Sequence, residues 1–194
     1  MFGEEQLMGS WDVGSEKALA TLVCERLKNR PERILIGGLG MGFTLAAARS
    51  VFAPSVAIVV AELVPKVVSW AGGHLAHIFG SSLADPRVSI ELRDVHDVIV
   101  EQVDNFDAIL LDVDNGPDGL ISIANERLYC NWGLRAAHSA LRAGGMLAVW
   151  SAYSDFAFSD RLQNAGFDVE EVQVYPEGVE PDPPYTIWLA AKPG

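Results

Sequence analysis

Four glycines fall within six positions, at the point where a short apolar run ends. The stretch RILIGGLGMGFTL (33–45) contains Gly37, Gly38, Gly40 and Gly42. Glycine loses more backbone entropy on folding than any other residue, so such a cluster needs a local reason. Either the chain turns tightly here, or another group lies close against its backbone. The apolar run before the cluster predicts a buried strand and the residues after it predict a helix, so the glycines form the turn between them.

The rest of the chain alternates apolar strands with helices. We expect strands at 33–37, 55–63, 87–94, 106–114, 144–151, 167–175 and 185–192, and helices at 15–29, 43–52, 65–80, 95–103, 124–141 and 155–166. The strands are continuously apolar, which is expected when helices cover both faces of a parallel sheet. The last two strands have no helix between them and predict an antiparallel hairpin.

These elements together predict an α/β fold of the doubly wound, Rossmann-like type. We expect a single domain at 31–194 with a mostly parallel seven-stranded sheet that ends in the C-terminal antiparallel hairpin. Residues 1–30 form an N-terminal segment and helix, and this segment is a candidate lid. Trp11 is either a lid residue that stacks on a ligand or an apolar side chain that packs on the domain.

The composition limits the partners of the chain. The formal net charge of the 194 residues is −12, which argues against nucleic acid or an anionic membrane surface. The charge is compatible with a small cationic substrate, or with solubility alone. No apolar run approaches the roughly 18 residues of a membrane span. Cys24 and Cys130 are far apart and predict free, buried thiols, and we expect a cytoplasmic location.

Acidic residues follow the predicted strands where the strands end. Glu62 ends the second strand, Asp94 the third, and Asp112 and Asp114 the fourth. The carboxyl ends of parallel strands meet at one edge of a sheet, and ligands of open α/β sheets bind there. The alternative is that these acids only cap helices and that the glycines only form a tight turn.

The spacing of the glycines and acids indicates a nucleoside. A dinucleotide fingerprint GxGxxG would need glycine at 43, where Phe43 stands, so a pyrophosphate cradle is disfavoured. Glu62 follows the last glycine by 20 residues, and its carboxylate can accept hydrogen bonds from both hydroxyls of a ribose. Asp94 is placed to accept one from the exocyclic amine of an adenine.

The motifs in this order resemble the class I S-adenosylmethionine-dependent methyltransferases, and within them most closely the spermidine synthases. The resemblance covers roughly residues 30–192 and rests on ILIGGLGMGFTL, VVAELVPKVVSWA, DPRVSIELRDVHDVI, FDAILLDVDNGPDGL and ALRAGGMLAVWSA. It implies a class I methyltransferase domain with S-adenosylmethionine, or its decarboxylated form, as co-substrate and no metal. It implies cofactor contacts from Gly37, Gly38, Gly40, Gly42, Glu62, Leu63, Asp94, Val95 and Asp112, and catalytic roles for Asp112 and Asp114.

Two departures from the spermidine synthase pattern distinguish the possible reactions. Spermidine synthases carry an Asp in the glycine loop, and this Asp holds the amino end of the decarboxylated cofactor. The resemblance places Gly40 at that position here. Without that Asp, the loop amides and the following helix N-terminus favour the carboxylate of intact S-adenosylmethionine. Their second catalytic acid corresponds to Asn115, with Asp114 offset by one position.

We therefore expect a transferase that moves a methyl group to a small, cationic or amine acceptor. An amine with an ordinary pKa of about 10 must lose a proton before it attacks, and Asp112 or Asp114 could take it. One alternative is aminopropyl transfer, as in polyamine synthesis, with Asp114 or Asp118 replacing the missing acid. Another is a non-catalytic nucleoside-binding module, and a homodimer is left open as the assembly.

Other side chains carry weaker signals. His74 and His77 have helical i, i+3 spacing, but no third metal ligand is evident, so solvated or packed histidines are expected. Trp150 and Tyr153 stand at or just past the end of the fifth strand, where they line either an acceptor site or the core.

Overall fold

The computed structural model describes residues 14–113, 116–117, 125–175 and 184–194. Its helices are α1 (Gly14–Arg26), α2 (Phe43–Val51), α3 (Pro65–Ala71), α4 (Ala76–Phe79), α5 (Val95–Val100), α6 (Glu126–Tyr129), α7 (Asn131–Ala140) and α8 (Phe156–Asn164). Its strands are β1 (Arg33–Gly37), β2 (Ala57–Ala61), β3 (Val88–Glu91), β4 (Phe106–Leu111), β5 (Leu141–Ser151), β6 (Asp168–Val174) and β7 (Tyr185–Ala191).

The described strands form one seven-stranded sheet in the order β3-β2-β1-β4-β5-β7-β6. The pairings among β3, β2, β1, β4 and β5 are parallel, whereas β7 is antiparallel to both β5 and β6. The predicted α/β fold and its C-terminal antiparallel hairpin are therefore confirmed. The strand order reverses between β1 and β4, so a crevice is expected beyond the carboxyl ends of these two strands.

Helices bury both faces of the sheet, which explains the continuously apolar strands. Alternate strand residues such as Leu35, Ile109 and Leu147 pack with α5, α6, α7 and α8 in one core cluster. Their neighbours Ile34 and Ile58 pack with α1 and α2 in the other. Because successive strand side chains point to opposite faces, most strands contribute to both cores, whereas β3 contributes Val88 and Ile90 to the second core alone.

Two predicted helices are each divided into two. The helix predicted at 65–80 is interrupted by Gly72 and Gly73 between α3 and α4, where glycine weakens a helix. The helix predicted at 124–141 breaks at Cys130, whose backbone is extended with φ −74° and ψ 163°. A Cβ on Gly133 would lie 1.9 Å from the carbonyl oxygen of Arg127, so α6 and α7 meet too closely for any other residue there.

The strand boundaries also differ from the prediction where the chain leaves the sheet. The fourth strand ends at Leu111 rather than at 114, which places Asp112 directly after it. Asp114 and Trp11 lie outside the described residues, and the division of the chain at residue 30 stays a prediction. Cys24 and Cys130 are free, but they are half-buried rather than buried. Within the ranges described above, no helix has the length and apolar character needed to cross a membrane.

Candidate functional site

The glycine loop between β1 and α2 both turns tightly and lies against its neighbours. Gly38, Gly40 and Gly42 have φ of +85°, +49° and +80°, a region that side-chain-bearing residues rarely adopt. Gly37 is closely packed instead, because a Cβ there would lie 2.9 Å from Cδ2 of Leu111 and 3.1 Å from Cγ2 of Val95. Both reasons for a glycine cluster are therefore present in one loop.

The ring of Phe79, which the sequence analysis did not single out, packs against the end of the loop. Gly42 is the N-cap of α2, and its Cβ would lie 2.4 Å from the ring of Phe79. Phe79 is buried and comes from α4. Gly42 supplies no side-chain acceptor to the first turn of α2, so the positive end of the helix dipole lies next to the loop.

Glu62 joins the end of β2 to the glycine loop. Its Oε2 accepts a hydrogen bond from the backbone N–H of Leu39 at 2.8 Å, and its Oε1 accepts one from that of Val64 at 2.8 Å. The residue is only 6% exposed. Each carboxylate oxygen has two lone pairs, so each keeps one acceptor position for a further donor.

Two apolar residues of the predicted site lie in different environments. Leu63 follows Glu62 and is 59% exposed, which leaves an apolar surface just beyond the end of β2. Val95 is buried, and its Cγ2 lies 3.1 Å from the position of a Cβ on Gly37. The Leu63 side chain is therefore available to a ligand, whereas that of Val95 supports the loop from beneath.

Asp94 caps α5 and is held at both carboxylate oxygens. Its Oδ1 accepts a hydrogen bond from the backbone N–H of His96 at 2.9 Å, and its Oδ2 accepts one from the guanidinium of Arg127. Helix capping is the alternative role that the sequence analysis gave for these acids. The ion pair with Arg127, from the short helix α6, was not predicted.

Asp112 stands where β4 meets the glycine loop. Its Oδ2 accepts a hydrogen bond from Thr44 Oγ1 at 2.8 Å, and a Cβ on Gly38 would lie 2.8 Å from its carbonyl oxygen. Burial raises the pKa of Asp112, and the hydrogen bond from Thr44 acts in the opposite direction. A carboxyl group with a raised pKa accepts a proton more readily than an exposed one does.

Thr44 was missed by the sequence analysis. It is buried in the first turn of α2, between Phe43 and Leu45. The available signal was a hydroxyl on the buried face of a helix that begins at the predicted site, because such a group needs a partner. Glu62 thus contacts the glycine loop itself and Asp112 contacts α2 directly after it, whereas Asp94 lies one strand further out.

The other side of the carboxyl edge is aromatic. The rings of Trp150 and Tyr185 lie 5.2 Å apart, and Tyr153 is exposed. A Cβ on Gly116 would lie 1.9 Å from Ser151 Oγ, so the chain that follows β4 lies against the end of β5. This arrangement places aromatic surface beside the expected crevice.

The pair His74 and His77 was expected to be solvated or packed rather than to bind a metal. Among the residues that the structure describes, no group of three or more His, Cys, Asp or Glu side chains is arranged to hold a metal ion.

Comparisons with known proteins identify the fold. No protein-family model matches the chain, and no curated protein matches it in sequence. Solved structures similar to it include the spermidine synthase from Thermotoga maritima, and a spermidine synthase in complex with the transition-state analogue AdoDATO. Each has a TM-score of 0.73 and 19% identity, over 93% of this chain and 60% of that chain.

A third similar structure is an S-adenosylmethionine-dependent O-methyltransferase from Thermotoga maritima, with a TM-score of 0.63 and 18% identity. It matches over 90% of this chain and 64% of its own length. The chain thus spans about 60% of the length of the two spermidine synthases. These likenesses confirm the class I S-adenosylmethionine-dependent methyltransferase fold that the sequence predicted.

Proposed function

We propose that this chain, which has the class I methyltransferase fold, binds S-adenosylmethionine and transfers its methyl group to a small cationic or amine acceptor. The observation that carries the proposal is the position of Glu62. Its buried carboxylate lies against the glycine loop and keeps one acceptor position on each oxygen. Two acceptors side by side are what the adjacent hydroxyls of a ribose require.

The surrounding residues support an adenosyl ligand in this position. Gly38, Gly40 and Gly42 leave the loop without side chains, so a ligand can approach the backbone closely. Leu63 offers an exposed apolar surface next to Glu62 for the face of a purine. Asp94, at the end of the next strand, accepts the hydrogen bond of the exocyclic amine.

Asp112 is the residue that we expect to bind and deprotonate the acceptor. Burial raises its pKa toward the range in which a carboxylate is an effective base. In the proposed reaction the acceptor nitrogen forms the new bond to the methyl carbon, and the bond from that carbon to sulfur breaks. The sulfur leaves as a neutral thioether, and the nitrogen's proton passes to Asp112 directly or through water.

Aminopropyl transfer is the second candidate, because one observation favours it. Asp112 lies next to the glycine loop through Gly38 and Thr44. A carboxylate there attracts the ammonium group of decarboxylated S-adenosylmethionine. The open N-terminus of α2 and Gly40 favour the carboxylate of the intact cofactor instead, so methyl transfer is the first candidate.

A binding and turnover experiment separates these candidates. Calorimetric titrations of the full chain with S-adenosylmethionine, its decarboxylated form and S-adenosylhomocysteine report which cofactor is preferred. We expect preference for the carboxylated ligands, together with methyl transfer to at least one member of an amine panel. Preference for the decarboxylated ligand would favour aminopropyl transfer, and binding without any turnover would favour a nucleoside-binding module. Absence of binding by all three ligands would contradict the proposal.

The Asp112→Asn variant tests the catalytic role of this carboxylate. Asn keeps an oxygen that can accept the Thr44 hydrogen bond, but it cannot act as a base. We expect cofactor affinity within about threefold of that of the unaltered chain and the loss of turnover. Asp114, the homodimer, the cytoplasmic location and the cationic acceptor remain predictions.

A further inference from the structure

The short helices α6 and α7 dock on the first turn of α5 through two side-chain contacts. Arg127 of α6 pairs with Asp94, and its second guanidinium nitrogen lies 3.5 Å from Asp97. Trp132 of α7 packs against His96, with ring centroids 5.1 Å apart and the ring planes tilted by 38°. The elements that follow β4 in the chain are thereby fixed to the end of β3.

Arg127 is what fixes the second oxygen of the Asp94 carboxylate. The cap bond to His96 holds only Oδ1, so without the guanidinium the carboxylate could turn about its own axis. The planar fork of Arg carries donors in a fixed geometry, which a Lys ammonium does not. Two of the four lone-pair positions of the carboxylate are then occupied, and two remain for a ligand.

We propose that Arg127 is a positioning residue for purine recognition, holding Asp94 in the orientation that accepts the exocyclic amine of adenine. The proposal rests on the proposed function, because it requires an adenosyl ligand in the crevice. Asp94 is 11% exposed and Arg127 is 42% exposed. The carboxylate is thus shielded from water, while the cation that orients it stands at the surface.

This arrangement makes the site selective between adenine and hypoxanthine. Adenine presents an amine donor to the carboxylate, whereas hypoxanthine presents a carbonyl oxygen at the same position. A largely shielded carboxylate that faces a carbonyl oxygen gains no donor from the base and is repelled by it, so the 6-oxo base is rejected. Selectivity of this kind depends on how firmly Asp94 is oriented, and therefore on Arg127.

Paired titrations of S-adenosylhomocysteine and S-inosylhomocysteine test the role of Arg127. The unaltered chain should bind the adenosyl ligand more tightly. Arg127→Met should weaken adenosyl binding about tenfold, in line with the loss of a charge-assisted hydrogen bond, and leave inosyl binding nearly unchanged, so that the preference shrinks. Arg127→Lys should give an intermediate preference, because it keeps the charge without the fork. Arg135→Met, which alters an exposed arginine on α7, is the matched control and should keep the full preference.

The outcomes distinguish this inference from the proposed function. Equal weakening of both ligands in the Arg127 variants would mean a purely structural role, and an unchanged preference would mean none; either result overturns the inference while adenosyl binding stands. Failure of the unaltered chain to bind either ligand would overturn the proposed function, and the inference with it. If Arg127→Met does not fold, as judged by thermal unfolding, Arg127→Lys decides the question alone.

Discussion

The carboxylate of Glu62 accepts a hydrogen bond from the backbone N–H of Leu39 at 2.8 Å, which links the end of β2 to the middle of the glycine loop. Glu62 therefore helps to hold the shape of the loop, and the same carboxylate is the group that we expect to bind the ribose. A site whose donors and acceptors are already in place loses less free energy to ordering when the ligand binds.

Replacement of Glu62 should affect both the loop and the ligand. In Glu62→Gln one carboxylate oxygen becomes an NH₂ group, which faces the N–H of either Leu39 or Val64 donor to donor. A buried N–H left without an acceptor costs about 1–3 kcal/mol. We expect a lower melting temperature and at least tenfold weaker binding of S-adenosylhomocysteine, measured by thermal unfolding and calorimetry.

Glu91 provides the control for the Glu62 prediction. It ends β3, the neighbouring strand, and is not assigned to the site. Glu91→Gln should leave both measurements close to those of the unaltered chain. If Glu62→Gln behaved like Glu91→Gln, the role assigned to Glu62 would be wrong.

Thr44 should set the pH at which Asp112 becomes active. Thr44→Val has nearly the same shape but removes the hydroxyl that donates to Asp112 Oδ2. Because that bond lowers the pKa of Asp112, its loss raises the pKa further. A base works in its ionised form, so the acidic limb of the pH profile of kcat/KM should move to higher pH.

Thr44→Ser is the corresponding control, since it keeps the hydroxyl and loses only a methyl group. Its acidic limb should remain near that of the unaltered chain. An unmoved limb in Thr44→Val would show that Asp112 is not the base, or that Thr44 does not tune it.

Asp112 should also reduce the stability of the fold at neutral pH. Burial raises its pKa in the folded chain above the unfolded value of about 3.9, so folding with the carboxylate charged is unfavourable. The folded state is therefore relatively more stable at low pH, and this advantage is lost as the pH rises through the folded pKa. Asn carries no charge and avoids the cost at every pH.

We expect Asp112→Asn to melt at a higher temperature than the unaltered chain at pH 7.5. One kcal/mol corresponds to about 2–4 °C for a chain of this size. The difference should shrink as the pH falls toward 4. A lower melting temperature at pH 7.5 would mean that the charged carboxylate stabilises the fold through partners other than Thr44.

Gly42 should tolerate no side chain. Its φ is +80°, and a Cβ would lie 2.4 Å from the ring of Phe79. Gly42→Ala should therefore displace Phe79 or the start of α2, lower the melting temperature and weaken nucleoside binding. In Gly72→Ala the new Cβ would lie 3.8 Å from the nearest atom, the carbonyl oxygen of Val68. This second change should be neutral or slightly stabilising, and similar effects of the two substitutions would contradict the packing described for the loop.

The sequence was sufficient for the strands, the sheet and the acids at the strand ends, because these depend on local patterns. Continuous apolar runs indicated strands buried on both faces, and Glu62 and Asp112 follow their strands as expected. The partners of these acids were not predictable in the same way. Thr44 and Asp112 are 68 positions apart, and Arg127 and Asp94 are 33 positions apart.

Such pairings arise from how the helices pack on the sheet. The break at Cys130 illustrates this, since the local pattern favours one continuous helix from 124 to 141. The chain is instead divided into two helices, α6 and α7, and Gly133 of the second packs closely against the carbonyl oxygen of Arg127 in the first. That separation brings the Arg127 and Trp132 side chains to α5, where the first reaches Asp94.

A crystal structure of the chain with bound S-adenosylhomocysteine tests the central claim most directly. Both ribose hydroxyls should lie within hydrogen-bond distance of the Glu62 carboxylate, with the sugar resting on the glycine loop. A ligand bound elsewhere, or a Glu62 side chain that makes no contact with the ribose, would contradict the account.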